Sequence, residues 1–263
     1  MSLNVILIQR HGLAMLRKIL KWLDNFWYHY KWVTLVTIFF VVTLTIIIVQ
    51  MITKTNPDCN ILYGGPAVLT ANQTKEIENA FNALLPEDYN GDGEKNISLQ
   101  SITLMTKEQL TAAEAQAAEN SSVFIYDPKS LENNKTSFST QLFSGEYVIC
   151  LIDPEQYKNA HNAGGFTPLS ELFGENDIPE YAYDDCALIL SETYFSKFFT
   201  AMSALPDDTL ICVRKMSSVS ALKGKKKAEE EYNNQLRLYY NIIAFTPPEG
   251  IWSNESEAES VSA

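Results

Sequence analysis

The sequence predicts a membrane-anchored α/β protein, with one N-terminal transmembrane helix followed by a single three-layer α/β domain whose sheet is largely parallel. Three observations carry the prediction. An uncharged apolar run covers residues 32–52; beyond it, apolar segments of strand length alternate with amphipathic segments of helix length; and the remaining chain, about two hundred residues, has the size of one domain with its own core.

The run WVTLVTIFFVVTLTIIIVQMI, from Trp32 to Ile52, lies between Lys31 and Lys54. It is long enough to cross a hydrocarbon core as one helix, in which every backbone group finds its partner internally. Its exit, TKTNPDC, lacks the small-residue cleavage site of a secretory signal peptide, so an uncleaved anchor over residues 32–53 is expected. Five basic residues, Arg10, Arg17, Lys18, Lys21 and Lys31, precede it against the single Asp24, a net charge of +4. The basic side of such a span stays in the cytoplasm. Residues 1–31 then form a cytoplasmic segment of a single-pass cell-membrane protein, and residues 54–245 an extracytoplasmic domain. Within the first segment, RKILKWLDNFWYHYKW mixes cations with aromatic rings, the composition of an interfacial helix touching the lipid bilayer. The chain beyond residue 31 carries 15 Lys and Arg against 31 Asp and Glu, a net charge of −16. That excess disfavours nucleic acid, or an anionic lipid surface, as the partner of the domain.

In order along the domain, CNILYGG reads as a buried strand ending in a sharp turn. LTANQTKEIENAFNALL follows as a helix capped by Thr70, with Ile77, Phe81, Leu84 and Leu85 on one face. NISLQSITLM is a strand, TKEQLTAAEAQAAE a helix by composition, SSVFIYDP a strand, and SFSTQLFSG a short helix closed by Gly145. EYVICLIDP is apolar enough to be buried on both faces, and PEQYKNAHNAGG starts a helix at Pro154 that stops at the glycines. CALILSET and DTLICVRK read as further strands. The last helix, KKKAEEEYNNQLRLYYNIIAF, repeats Tyr232, Leu236, Tyr239 and Ile243 at helical spacing. The tail 246–263, TPPEGIWSNESEAESVSA, has the composition of a disordered segment. Cys59, Cys150, Cys186 and Cys212 all follow the anchor, three of them in apolar stretches, so buried free thiols are expected, with one disulfide as the alternative.

The succession ILYGGP, amphipathic helix, DYNGDG, strand, then SFSTQLFSGEYVICLIDPEQY and GGFTPLSELFG resembles the first lobe of extracytoplasmic solute-binding proteins. The anchor with one reduced lobe resembles small single-span, membrane-anchored proteins of Gram-positive bacteria. The likeness runs roughly from Asp58 to Phe173, the length of an ordinary domain half. It implies a binding fold. A complete solute-binding protein needs a second lobe of similar size, and too few residues follow the first, so this chain is expected to dock a partner rather than close on a solute.

Candidate sites are few. DYNGDG, from Asp88 to Gly93, offers oxygens from Asp88, Asn90 and Asp92 at alternate positions, with the Glu94 carbonyl and the Asn96 side chain as further donors. Hard oxygen ligands in this pattern suit Ca²⁺, although Leu99 stands where an EF-hand has its bidentate Glu. Asn90-Gly91 and Asp92-Gly93 are equally plain turn dipeptides, so a Ca²⁺ site and a pair of turns stand side by side as readings. Because open α/β sheets bind ligands at the carboxyl ends of their strands, Tyr63, Gly64, Gly65, Asp153, Ser191 and Glu192 are the edge residues to examine. His161, beside a helix end, reads as a solvated or capping residue. No catalytic motif is present in a recognisable context. The sequence therefore predicts a non-enzymatic module that docks an extracytoplasmic protein or envelope component. A small-solute receptor or accessory subunit of a transporter is the alternative, and it requires a partly apolar pocket at the strand ends.

Overall fold

A computed structural model describes residues 3–53, 56–119, 128–144, 146–216 and 224–248. The strand expected at SSVFIYDP, up to Asp127, lies outside the described residues, as do Gly145 and the tail beyond residue 248. The chain divides into two compact units, Met1–Thr55 and Asn56–Ala263.

The first unit is one helix, α1 (Leu3–Thr53). It contains no proline to remove a backbone donor, and its 51 residues extend well past the roughly 20 that a bilayer core requires. The stretch Asp24–Val49 is long and apolar enough to cross a membrane. Its hydroxyls are dealt with locally: Thr37 and Thr45 donate to the carbonyls of Val33 and Val41, each at 2.8 Å. An apolar surround cannot satisfy these groups, so the helix does. Trp22, Phe26 and Tyr30 stack one turn apart, with ring centroids 5.6 and 5.3 Å apart.

The second unit is built on a five-stranded sheet of β1 (Cys59–Gly65), β2 (Ile97–Thr103), β3 (Ile149–Ile152), β4 (Ala187–Ile189) and β5 (Leu210–Val213), ordered β2-β1-β3-β5-β4. β1 is parallel to β2, from Cys59↔Ile97 to Gly65↔Thr103, and parallel to β3. β5 is antiparallel to both β3 and β4. The sheet is thus mixed rather than largely parallel: four strands share a direction and β5 opposes them. The cause is the β4–β5 link. It holds only a 3₁₀ turn at Leu190–Glu192, α7 (Tyr194–Phe198) and a second 3₁₀ turn at Thr200–Ala204. A parallel return needs a crossover, usually a full helix over the sheet, and these short turns bring the chain straight back.

Alternation along the strands sends side chains to two apolar layers. Ile61, Tyr63, Ile149, Leu151, Ile211 and Val213 pack with α2 (Ala71–Asn82) and α8 (Lys225–Ile243). Leu62, Cys150, Ile152, Leu210 and Cys212 pack with α4 (Pro128–Ser144) and α5 (Pro154–Asn162). Coverage of both faces explains why β3 and β5 are apolar at every position. α3 (Lys107–Glu119) and α6 (Leu169–Phe173) complete the helices.

Helix ends follow their chemistry. Thr70 closes a full capping box with Gln73, and Asp153 caps α5 just before Pro154. α4 is longer than the short helix expected, starting at Pro128. α8 packs by its expected residues but buries others more deeply: Ala228, Gln235, Leu238, Tyr239 and Ile242 are buried, while Tyr232, Leu236 and Ile243 are partly buried. Gln235 turns inward because backbone groups at the start of β3 need partners. Its Oε1 accepts from Val148 N at 3.1 Å and its Nε2 donates to Glu146 O at 3.4 Å. All four cysteines are free and buried. Cys150 and Cys212 sit opposite one another in the β3–β5 register without bonding covalently.

Candidate functional site

β1 has β2 on one side and β3 on the other, so the chain leaves it in opposite directions and opens a crevice at its carboxyl end. A cavity of about 590 Å³ lies between α3, α4 and α5; its lining begins at Met105, just past the carboxyl end of β2, and runs back over the sheet to Leu142, Phe143 and Ala163. Met105, Leu131, Phe138 and Leu142 make its apolar surface; Lys107, Glu132, Lys135 and Asn159 are exposed around it. Lys135 is paired with Glu132 at 3.8 Å.

Of the two glycines of ILYGGP, Gly64 serves this cavity. A Cβ on Gly64 would collide with the Phe138 ring, whose Cδ2 and Cζ would lie 2.7 and 2.9 Å away. Without that Cβ the ring lies across the end of β1 and closes the cavity from below. On the other face, Gly65 gives clearance to the Tyr63 hydroxyl, 2.6 Å from where a Cβ would stand, and that hydroxyl accepts from Ala67 N at 3.0 Å. Burial raises the Tyr63 phenol above its ordinary range. Asp153 is 3% exposed; its Oδ1 accepts from Glu155 N at 2.9 Å and its Oδ2 from Gln109 Nε2 at 2.8 Å. The carboxylate therefore ties α3 to α5, two of the three cavity walls.

Of the expected edge residues, Gly64 and Asp153 thus shape the cavity. Tyr63 faces the α2/α8 layer, and Ser191 and Glu192 lie elsewhere: Ser191 donates to Asp207 O at 2.6 Å, and Glu192 pairs with Lys197 at 2.9 Å. Met105, Leu131, Phe138 and Leu142 were not singled out by sequence. The spacing of 131, 138 and 142, seven and then four residues, is a one-sided helical stripe inside an otherwise polar segment, and it was the available signal.

The DYNGDG loop joins α2 to the start of β2, at the amino ends of β1 and β2. Asp88 accepts from Gly91 N (2.6 Å) and Gly93 N (2.7 Å), Asn90 Oδ1 from Asp92 N (2.8 Å), and Asp92 Oδ1 from Glu94 N (3.0 Å). The bond from Gly93 N leads the set that lowers the Asp88 carboxyl below its usual range. Gly91 and Gly93 have φ of 75° and 91°, the left-handed region that glycine enters without strain. The residue that organises the loop is Asp58. Its Oδ1 accepts from Tyr89 N (2.7 Å) and Asn90 N (3.0 Å), and its Oδ2 from Asn96 N (2.8 Å). These bonds alone account for the turns, and they add nothing in favour of Ca²⁺ beyond the oxygens of Asp88, Asn90, Asp92, Glu94 and Asn96 already legible in the sequence.

His161 is neither solvated alone nor capping. Its Nε2 lies 3.0 Å from Asp185 Oδ1, with the Cys186 thiol alongside. Comparison of the chain with family models, with curated proteins and with solved structures finds no match.

Proposed function

We propose that the chain is a membrane-anchored extracytoplasmic binding module, non-catalytic, which receives a protein or envelope partner at the cavity between α3, α4 and α5. The observation that carries this is the cavity itself: a partly apolar recess between three helices, whose α3 rim at Met105 and Lys107 adjoins the carboxyl end of β2, the edge where α/β folds bind. α1 supplies the anchor through residues 32–53, and the five basic residues before it support a cytoplasmic N-terminus. The likeness to one lobe of a solute-binding protein belongs to this reading. Four strands running one way and helices on both faces support it.

Catalysis is not part of the proposal. The titratable groups lining the cavity, Lys107, Glu132 and Lys135, are exposed, so no buried acid or base faces it among the described residues. One observation favours the small-solute receptor as a second reading: about 590 Å³ falls within the range of ligand pockets, about 300–1,000 Å³. A photo-crosslinking side chain placed at Ser139, on the cavity wall, and in a second variant at Glu94, in the DYNGDG loop, tests the first reading in intact cells. A discrete protein adduct from Ser139 and none from Glu94 supports it. Equal adducts from both positions overturn it, and no adduct from either, with thermal stabilisation by a small-molecule extract, selects the receptor.

Ca²⁺ at residues 88–96 stays a separate proposal, as a pin for the loop. A rise in Tm with millimolar Ca²⁺ over EDTA that vanishes on Asp88→Ala with Asp92→Ala supports it, because a ion bound only by the folded state must stabilise that state. No rise leaves two turns.

A further inference from the structure

We propose that His161, Asp185 and Cys186 form a binding site for a divalent ion of the zinc class, distinct from the cavity. α5 presents two faces. Asn159, Ala160 and Ala163 line the cavity, whereas Tyr157 and His161, one turn apart, meet the turn before β4.

That turn is rigidly built. The Tyr157 hydroxyl donates to Asp184 Oδ1 at 2.7 Å, and the same oxygen accepts from Cys186 N at 2.9 Å and Ala187 N at 3.0 Å. Asp185 and Cys186 are thereby held against the helix. Tyr157 is itself locked by stacking on Phe166, with ring centroids 5.1 Å apart, and packs on the His161 ring at 5.3 Å. Imidazole, carboxylate and thiol each bring one ligand atom to within 4.8 Å of the other two. A tetrahedral zinc ion, with bonds of about 2.0–2.3 Å, holds its ligand atoms about 3.3–3.8 Å apart, so small side-chain rotations close this triangle on an ion.

The donor set selects the metal class. One soft sulfur, one imidazole nitrogen and one carboxylate oxygen suit zinc and its neighbours, while Ca²⁺ and Mg²⁺ demand more oxygens. Three protein ligands leave the fourth position to water, on the side of Asp185, whose side chain is 71% exposed. Binding converts the Cys186 thiol to thiolate and releases its proton to solvent; the S–H bond breaks as the metal–sulfur bond forms. A nucleophilic role fits the same atoms poorly. Burial first, then the neighbouring carboxylates, push the metal-free thiol up to about 12, the opposite of an activated cysteine.

The test uses the full chain in detergent, stripped with chelator and titrated with Co²⁺ as a spectroscopic probe. One Co²⁺ per chain is expected, giving a thiolate-to-metal charge-transfer band that Zn²⁺ abolishes by displacement. Cys186→Ser removes the band, and His161→Gln and Asp185→Asn each weaken Co²⁺ binding at least tenfold. The proposal is overturned by Co²⁺ binding without the band, by no binding, or by a band that survives Cys186→Ser. Should Cys186→Ser fail to fold, Asp185→Asn decides alone, since that side chain is largely exposed; unchanged affinity there also overturns the site.

Discussion

Gly64→Ala tests the account of the cavity most directly. Gly64 lies in β1, where alanine is conformationally acceptable, and the loss of unfolded-state freedom would by itself stabilise the fold by about 0.4–1 kcal/mol. Against this stands the Phe138 ring, three of whose atoms would lie within 3 Å of the new Cβ. Phe138 is 5% exposed, so the ring can yield only upward, into the cavity. Overpacking of this kind costs about 1–3 kcal/mol, and three ring atoms inside 3 Å place it in the upper half, about 2–3 kcal/mol, which leaves a net loss of about 1–2.6 kcal/mol. For a unit of this size that is about 2–10 °C in Tm. Near-ultraviolet circular dichroism is the appropriate probe, because Tyr63, Tyr157 and Tyr239 are fully buried whereas Trp22, Trp27 and Trp32 are on α1. Phe138→Leu combined with Gly64→Ala should cost less than the sum of the two changes, with a coupling of at least about 0.5 kcal/mol. Additive costs, or a Gly64→Ala variant as stable as the parent, would refute the claim that this glycine exists to seat the ring.

Further expectations follow from the loop, the thiols and the N-terminal helix. Asp58→Asn weakens three backbone hydrogen bonds at once and should cost about 1–3 kcal/mol, with faster amide exchange at Tyr89, Asn90 and Asn96; unchanged exchange there would remove Asp58 from its organising role. The lowered Asp88 carboxyl contributes stability that is present above the ordinary carboxylate range and lost as pH falls through its folded value, so protection of the Gly91 and Gly93 amides should disappear on acidification and persist at neutral pH. A thiol reagent at mild alkaline pH should find no reactive cysteine in the folded chain and four after denaturation without reductant, since burial holds Cys59 and Cys150 up at about 12; fewer than four would reveal a disulfide. Removal of residues 1–55 should release a soluble acidic domain, an expectation that fails if the fragment pellets with membranes.

What was legible in the sequence was local. β1, β3 and β5 announce themselves as apolar runs, Thr70 as a helix cap, Pro154 as a helix start, and residues 32–52 as an uninterrupted apolar run. What was not legible depends on contacts between distant residues. Asp58 reaches amides 31 to 38 positions away, His161 meets Asp185 across 24, and Gln235 finds Val148 across 87. Periodicity carries no information about such pairs. It placed Tyr232, Leu236, Tyr239 and Ile243 against the core, where they pack, but gave no reason to bury Gln235, which turns inward to the backbone of Glu146 and Val148. The cavity escaped for a related reason: its walls are three helices whose meeting is set by the sheet, and the glycine beneath it reads locally as an ordinary turn.

α5 has one side in the cavity and the other against the turn before β4, and Asp153 clamps its first residues to α3. A body seated against Asn159 and an ion held at His161 would touch the same helical turn from its two sides. If both sites fill, their occupants share a partition rather than a surface, and whatever factor one applies to the affinity of the other is returned in equal measure. A nine-residue helix would then serve as a coupling element between two chemistries, one apolar and one metallic, on opposite sides of a single wall.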